Sequence, residues 1–338
     1  MDFGLQIICQ FLLPYMNDLK EIKVENKYEC IVCNNKKTKY LFTNVAMMHD
    51  STKKFNFFIC KVCNLVFLNP RPSLVELMDY YTESYLPYRG PSAWGKYQEF
   101  AALSQKRLDA RRVKILKQHS SPKRVKNILD IGCGNPTFLE TCGRSFKSSL
   151  YGIDFSDNGW KKKQDKFKDL NLKVGSIDDI EANLSPDIIS LWHFLEHDYY
   201  PNKTLSKLAS ISNPETKLFI EVPNYESLSR KKYKENWAGF HTPRHTFIFS
   251  PKNIELLLNR NGWQVDLIDL KGTMNSYVLS WMSEMEIQGL DWKNSMENQF
   301  WNFVFNSVKY KLKHIFNNES EGVMTVVAKK LENKVTSI

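Results

Sequence analysis

Lys126-Asn-Ile-Leu-Asp-Ile-Gly-Cys-Gly134 decides the fold. Ile128, Leu129 and Ile131 make a short buried strand, and Gly132 and Gly134 then let the backbone turn sharply and approach a ligand closely. Pro136 stands where a first helical residue belongs, and Phe138-Leu139 open an apolar helix face. A strand passing through a glycine turn into a helix is the ligand corner of doubly wound folds. The loop is GxG without a third glycine, which is a weak signal alone. Ser149-Leu-Tyr-Gly-Ile-Asp154 strengthens it: a second strand ends in an acid placed to accept hydrogen bonds from ribose hydroxyls.

Working outward, the chain alternates. Strands are expected at 172–174, 186–192, 217–222, 265–270 and 323–328. Helices are expected around 205–211 and after Ser250-Pro251, the latter ended by Gly262. This predicts an α/β fold with a doubly wound, mostly parallel seven-stranded sheet. Upstream, Leu74, Leu77, Met78 and Tyr81 have helical spacing, and a basic helix is expected over 94–118.

Four of the seven cysteines form two CxxC pairs, Cys30/Cys33 and Cys60/Cys63. Two residues between thiols let one tight turn present both sulfurs to one ion, and two such turns complete a tetrahedral site that suits zinc. A closed four-thiolate site has no open position for chemistry, so the expected metal is structural. The expected organisation is an N-terminal segment 1–27, a zinc ribbon 28–72, a helical linker 73–120 and a main domain 121–332. An aromatic-rich insertion falls at about 272–319. A helical lid, a contact between two copies of the chain, and plain packing all stay open for that insertion. The odd cysteine count and the lack of a basic segment before Phe3–Met16 argue against a disulfide framework and a secretory leader, so a cytoplasmic protein is expected. The apolar run 3–16 reads as an amphipathic helix or a frayed end, too short to span a membrane. The net charge of +10 admits an anionic partner, although runs such as Lys161-Lys162-Lys163 read as a solvated helix face.

"ILDIGCG", "GID", "WHFLEH" after the fourth strand and "EVPN" after the fifth, taken in order, resemble the class I methyltransferases that use S-adenosylmethionine (SAM). The ribbon ending in "FLNPRP" and the later "HTPRHTFIFSP" look like a bacterial subgroup that often modifies sugars, surface polysaccharides or secondary metabolites. The resemblance covers about residues 28–330. It implies a Rossmann-like fold with SAM as cofactor, zinc in the ribbon and a small-molecule acceptor such as a sugar or nucleotide-sugar. Asp130, Gly132, Cys133 and Gly134 would line the methionine end. Asp154 would hold the ribose, with Phe155, Ser176 and Ile177 about the adenine and Trp192 facing cofactor and substrate. Two positions depart from the pattern. Pro136 replaces a small residue, and Ser176 stands where an aspartate is frequent, which implies an adenine recognition that is either weaker or rests on backbone groups.

His193, Glu196 and His197 have three readings. As text, H-x-x-E-H is a metalloprotease signature, but that chemistry needs a helix, and here the motif follows a strand. By resemblance to the ubiquinone O-methyltransferases, the three residues would bind a divalent metal, although His193 stands where that group carries an acid. As a general base, a histidine is suited to removing an acceptor's proton near neutral pH. His241 and His245 are candidates for the same role, and Arg244 between them is placed to pair with a phosphate or carboxylate. Two alternatives remain beside the small-molecule enzyme. One is an RNA methyltransferase docking through its ribbon, ranked lower because the ribbon lacks interleaved aromatic and basic residues. The other is a non-catalytic binding module.

Overall fold

The computed structural model describes residues 29–82, 85–275, 277–313 and 320–331. The reading of residues 1–27, including Cys9, lies outside the described residues.

The first three strands are β1 (Thr38–Val45), β2 (Lys54–Cys60) and β3 (Val66–Leu68). Helices α1 (Leu74–Met78), α2 (Leu86–Arg89) and α3 (Gln98–His119) follow. Ser73 starts α1 through a capping box with Glu76, satisfying amides that the first turn leaves open. The helix expected from 94 begins at 98 because Gly95 takes a φ of 53° and breaks the register.

The main sheet contains β4 (Asn127–Ile131), β5 (Ser149–Asp154), β6 (Asn171–Val174), β7 (Ile188–Trp192), β8 (Lys217–Pro223), β10 (Trp263–Asp269) and β11 (Val323–Lys330). Its order is β10-β11-β8-β7-β4-β5-β6. β11 runs antiparallel to both neighbours, while β4, β5, β6, β7 and β8 pair in parallel. The seven strands match the expected Rossmann-like class I methyltransferase fold. β7 is buried along its whole length, as a strand covered on both faces must be.

Helices α4 (Thr137–Gly143), α5 (Pro201–Ile211) and α7 (Pro251–Arg260) pack on the sheet, while α6 (Leu228–Tyr233) follows β8. α4 starts one residue after the expected position, with Pro136 as its cap. Short 3-10 turns at Gln164–Phe167 and Ile177–Asp179 replace α-helices in the two crossovers beyond β5 and β6.

A second sheet has the order β1-β2-β3-β9, where β9 is Phe247–Ile248. Val66 pairs with Ile248 and Phe67 with Phe247, so a strand from beyond β8 completes the sheet of the cysteine-bearing segment. Cys30, Val32, Cys60, Cys63, Leu65 and Phe67 share one apolar core with β4, β7 and β8. The stretch after β10 forms α8 (Val278–Ile287) and α9 (Phe300–Lys313). Trp281, Met285 and Trp292 of this stretch pack with Ala93.

Candidate active site

The sheet reverses direction at β4, which lies between β5 and β7. In open α/β sheets the crevice outside such a reversal receives the ligand. Three chain segments meet there. The glycine loop leaves β4 with φ of 70° at Gly132 and 48° at Gly134. A Cβ on Gly132 would sit 2.6 Å from the Phe194 ring of the loop after β7. A Cβ on Gly159 would sit 2.1 Å from the Gly134 carbonyl oxygen, so the segment after β5 also closes onto the loop.

Asp154 joins these segments. One carboxylate oxygen accepts from the Gly134 amide at 2.9 Å and the other from the Ser156 amide at 3.1 Å. Burial pushes its pKa up, and the Gly134 amide opposes that shift. Asp130 lies beneath, accepting from the Ser190 hydroxyl at 2.6 Å, and burial pushes it up to about 7. The Cys133 thiol is buried and pushed up by burial, while the Gly132 and Cys133 amides both donate to the Ile153 carbonyl. Phe155 is 53% exposed. Ser176 caps the turn that contains Ile177 and donates its hydroxyl to Asp179. Trp192 is buried edge-on against Phe138, with the Arg112 guanidinium 4.7 Å from its ring centroid.

The expected histidines separate into two environments. His193 takes a φ of 55° in the turn after β7. Its Nδ1 lies 3.1 Å from Glu196 Oε1, and its Nε2 lies 3.3 Å from Glu221 Oε1. The second contact has ion-pair distance without hydrogen-bond alignment. Burial opposes charge on His193, and the two carboxylates outweigh it, raising the imidazole to about 9. Glu221 in turn accepts from the Thr273 and Thr325 hydroxyls at 2.8 Å each, and from Arg112 at 3.5 Å. Burial would raise Glu221, but His193 and Arg112 hold it well below the carboxylate range.

His197, His241 and His245 form the other group. His245 lies 4.5 Å from His197 and 4.9 Å from His241, ring centre to ring centre. Burial depresses all three pKa values, which favours the neutral form of each ring. His245 Nδ1 donates to the Gly239 carbonyl at 2.8 Å, and His197 Nδ1 meets the Tyr81 hydroxyl at 3.1 Å. The Tyr81 ring also lies 5.9 Å from Phe155, which links this group to the Asp154 end of the crevice.

Arg244 does not face the crevice as an anion clamp. It is fully buried and donates to the carbonyls of Tyr80, Met47 and Met48 at 2.8, 2.9 and 3.5 Å. Its guanidinium lies 4.6 Å from the Tyr85 ring centroid. Its charge serves backbone carbonyls of two other segments, which leaves no fork for a phosphate.

Sequence reasoning missed Tyr81, Glu221 and Arg112. The available signal for the first was "YYTESYLPY", with tyrosines at 80, 81, 85 and 88. Glu221 was visible as the acid of "EVPN" but was not read as a partner of His193.

The four cysteines converge. Cys30 and Cys63 sulfurs lie 3.4 Å apart, Cys33 and Cys60 3.5 Å, and all four fall within 4.8 Å of one another. Zinc–sulfur bonds of about 2.3 Å in a tetrahedron put sulfurs about 3.8 Å apart, so this donor set fits zinc. Asn34 and Asn64, each directly after a second cysteine, adopt φ of 57° and 61°. Asparagine tolerates that left-handed turn. Asn202, Asn253 and Arg260 donate to the carbonyls of Ile31, Cys63 and Val32, seating the turns on α5 and α7.

The methyltransferase-domain family matches residues 97–268, half of the chain, and the chain belongs to that family. Protein arginine N-methyltransferase 1 of Schizosaccharomyces pombe is 26% identical over 202 residues, which cover 56% of this chain and 55% of that protein. The mitochondrial ubiquinone biosynthesis O-methyltransferase of Candida albicans is 36% identical over 86 residues, covering 23% of this chain and 26% of that protein. The chain thus spans about half of the first relative and a quarter of the second. Among solved structures, the cyclopropane synthase MmaA2 of Mycobacterium tuberculosis aligns with a TM-score of 0.47 and 14% identity, covering 65% of this chain and 84% of that chain. A SAM-dependent methyltransferase of Archaeoglobus fulgidus aligns with a TM-score of 0.42 and 20% identity, covering 66% of this chain and 92% of that chain. No described helix is long and apolar enough to cross a membrane.

Proposed function

We propose that the protein is a SAM-dependent methyltransferase acting on oxygen or carbon of a small molecule, with a sugar, nucleotide-sugar or related metabolite as acceptor. The observation that carries this reading is the union of Asp154 with the Gly134 amide at the sheet's reversal point. Asp130, Gly132, Cys133 and Gly134 would border the methionine end of SAM. Asp154 would take the ribose hydroxyls, Phe155 would offer its exposed ring to the adenine, and Ser176, Ile177 and Trp192 would close the sides. SAM supplies the electrophilic methyl; the chain's own residues hold the acceptor in line and accept its proton.

Among the candidate catalytic residues, His193 is the imidazolium of a doubly carboxylate-paired site and acts in positioning. Glu196 orients it. Burial favours the neutral form of His197, His241 and His245, the form a proton acceptor needs; His241 stands first, because its buried Nε2 has no hydrogen-bond partner. In this reading residues 28–72 are a zinc ribbon and 73–120 a linker. Residues 121–332 are the cofactor domain with an insertion at 272–319. The cytoplasm, which keeps the cysteines reduced, is the working compartment.

The test is methyl transfer from isotopically labelled SAM to a panel of nucleotide-sugars and free sugars, beside total RNA. Label in a nucleotide-sugar supports the reading. Label in RNA alone, with binding that falls steeply as salt rises, overturns it in favour of an RNA methyltransferase.

A further inference from the structure

We propose that the outer face of α9 is where a second copy of this chain docks, with the two α9 helices antiparallel across a two-fold axis.

Trp301, Phe305, Val308 and Leu312 of α9 are each between 54% and 70% exposed. They stand at i, i+4, i+7 and i+11, which on an α-helix puts them within about 60° of one another. Phe303 and Tyr310 point the other way, into the cluster of Trp281, Trp292 and Met296, and Phe300 stacks on Tyr97 at 4.2 Å. The helix is thus held to the body by its inner face, and its outer seam is spare apolar surface. Trp301 Nε1 donates to the Tyr97 hydroxyl at 2.9 Å, which fixes the ring and lowers the entropy lost on docking. Phe100, 5.7 Å from the Phe300 ring, and Leu103 one turn further along α3 are exposed as well and extend this surface.

Spacing, area and charge select a second copy as the occupant. A narrow seam in alternating steps of four and three residues is the pattern of a coiled coil. The order four-three-four reads the same in both directions. Two antiparallel helices therefore set Trp301 against Leu312 of the second copy, and Phe305 against its Val308. Such self-complementarity is what a two-fold contact requires. At these exposures the seam, with Phe100 and Leu103, offers on the order of 700 Å2 per copy, close to the roughly 800 Å2 that each partner buries in a stable complex. A contiguous apolar patch of that size marks an interaction surface. α9 carries no acid, and Lys309, Lys311 and Lys313 are exposed at its C-terminal end. Toward its N-terminal end lie Glu99, which is exposed, and Glu297, which also pairs with Lys96. Antiparallel pairing brings the lysine end of each helix to the glutamate end of the other, with the helix dipoles opposed. Lys309 then faces Asn302 of the second copy and Lys311 faces its Val304, so no lysine meets another.

The inference stands apart from the methyltransferase reading, and its test uses no activity. Sedimentation velocity of the full chain is followed over a range of concentrations. A dimer is expected. Phe305→Glu should raise its dissociation constant by roughly 100-fold or more, because a two-fold contact loses each anchor twice. Val75→Glu, at an exposed position on α1, should leave the dimer intact. Unchanged thermal unfolding of dilute, monomeric samples shows that both variants remain folded. A chain that is monomeric at every concentration overturns the proposal, as does a dimer that Phe305→Glu leaves unchanged. A monomer that binds vesicles of phosphatidylglycerol through Phe305 overturns it in favour of a lipid surface.

Discussion

Among the described residues there are two convergences of metal-ligand side chains, and they differ in how they are built. The cysteine quartet comes from two tight turns of one segment, each repeating C-x-x-C-N, and all four of its donors are of one kind. The histidine–glutamate cluster draws on residues 196–197 and 245, and its donors are already tethered by the Gly239 carbonyl, Tyr81 and His193. The quartet's turns are seated on α5 and α7 through Asn202, Asn253 and Arg260, and an ion would tie the two turns to each other, whereas the second cluster is framed by β7, β9 and their loops. The first should therefore be a condition of stability, and the second a place for chemistry.

The largest effect is expected at Cys60→Ser. On the proposed zinc reading, in which metal binding is folding free energy, loss of one ligand should lower stability by roughly 5 kcal/mol or more in thermal or denaturant unfolding. The loss should spread into the main domain, since β3 pairs with β9. A loss under about 1 kcal/mol would erase the distinction between the two clusters. Next comes Arg244→Ala, which removes the buried guanidinium shared by Met47, Met48 and Tyr80 and should cost about 3–5 kcal/mol. If Arg244 instead served an anionic ligand, the variant would unfold like the wild type and lose only ligand affinity.

These two predictions mark what the sequence could and could not disclose. The strand series, the glycine loop, Asp154 and the cysteine pairs were legible because each is local, and its period or spacing is the signal. Asn34 and Asn64 were equally local and were passed over. The partition of the histidines was not legible. His193 and His245 are separated by 52 positions (245 − 193) and no spacing rule connects them. Only the turn after β7 and the αL conformation of His241, at φ 38°, decide which ring meets which carboxylate. Arg244 was misread for the same reason: its carbonyl partners lie 164–197 positions away. The crossovers beyond β5 and β6 lacked strong apolar periodicity, and they fold as short 3-10 turns rather than helices.

A smaller effect separates the cofactor crevice from both clusters. Burial raises Asp130 to about 7 in the folded chain, against about 3.9 when unfolded. A carboxyl raised in this way contributes stability below about pH 4, and that contribution is lost as the pH climbs through 7. Asp130→Asn should flatten this dependence and raise stability at pH 8 by roughly 1–3 kcal/mol, while weakening SAM binding. Chemical unfolding at pH 5 and pH 8 checks the sign; a variant less stable than wild type at pH 8 would contradict it. The smallest effect is expected at His245→Gln, which keeps a donor for the Gly239 carbonyl and should change stability by less than about 1.5 kcal/mol. A collapse comparable to that of Cys60→Ser would place the histidine cluster among the structural parts.

The central claim is that the crevice at the reversal of the sheet is a SAM site closed by Asp154. Calorimetric titration of the zinc-loaded chain with SAM, beside Asp154→Ala, tests it most directly. The account predicts micromolar binding by the wild type and its loss in a variant that remains folded. No heat of binding from the folded wild type, or equal binding by the variant, would contradict it.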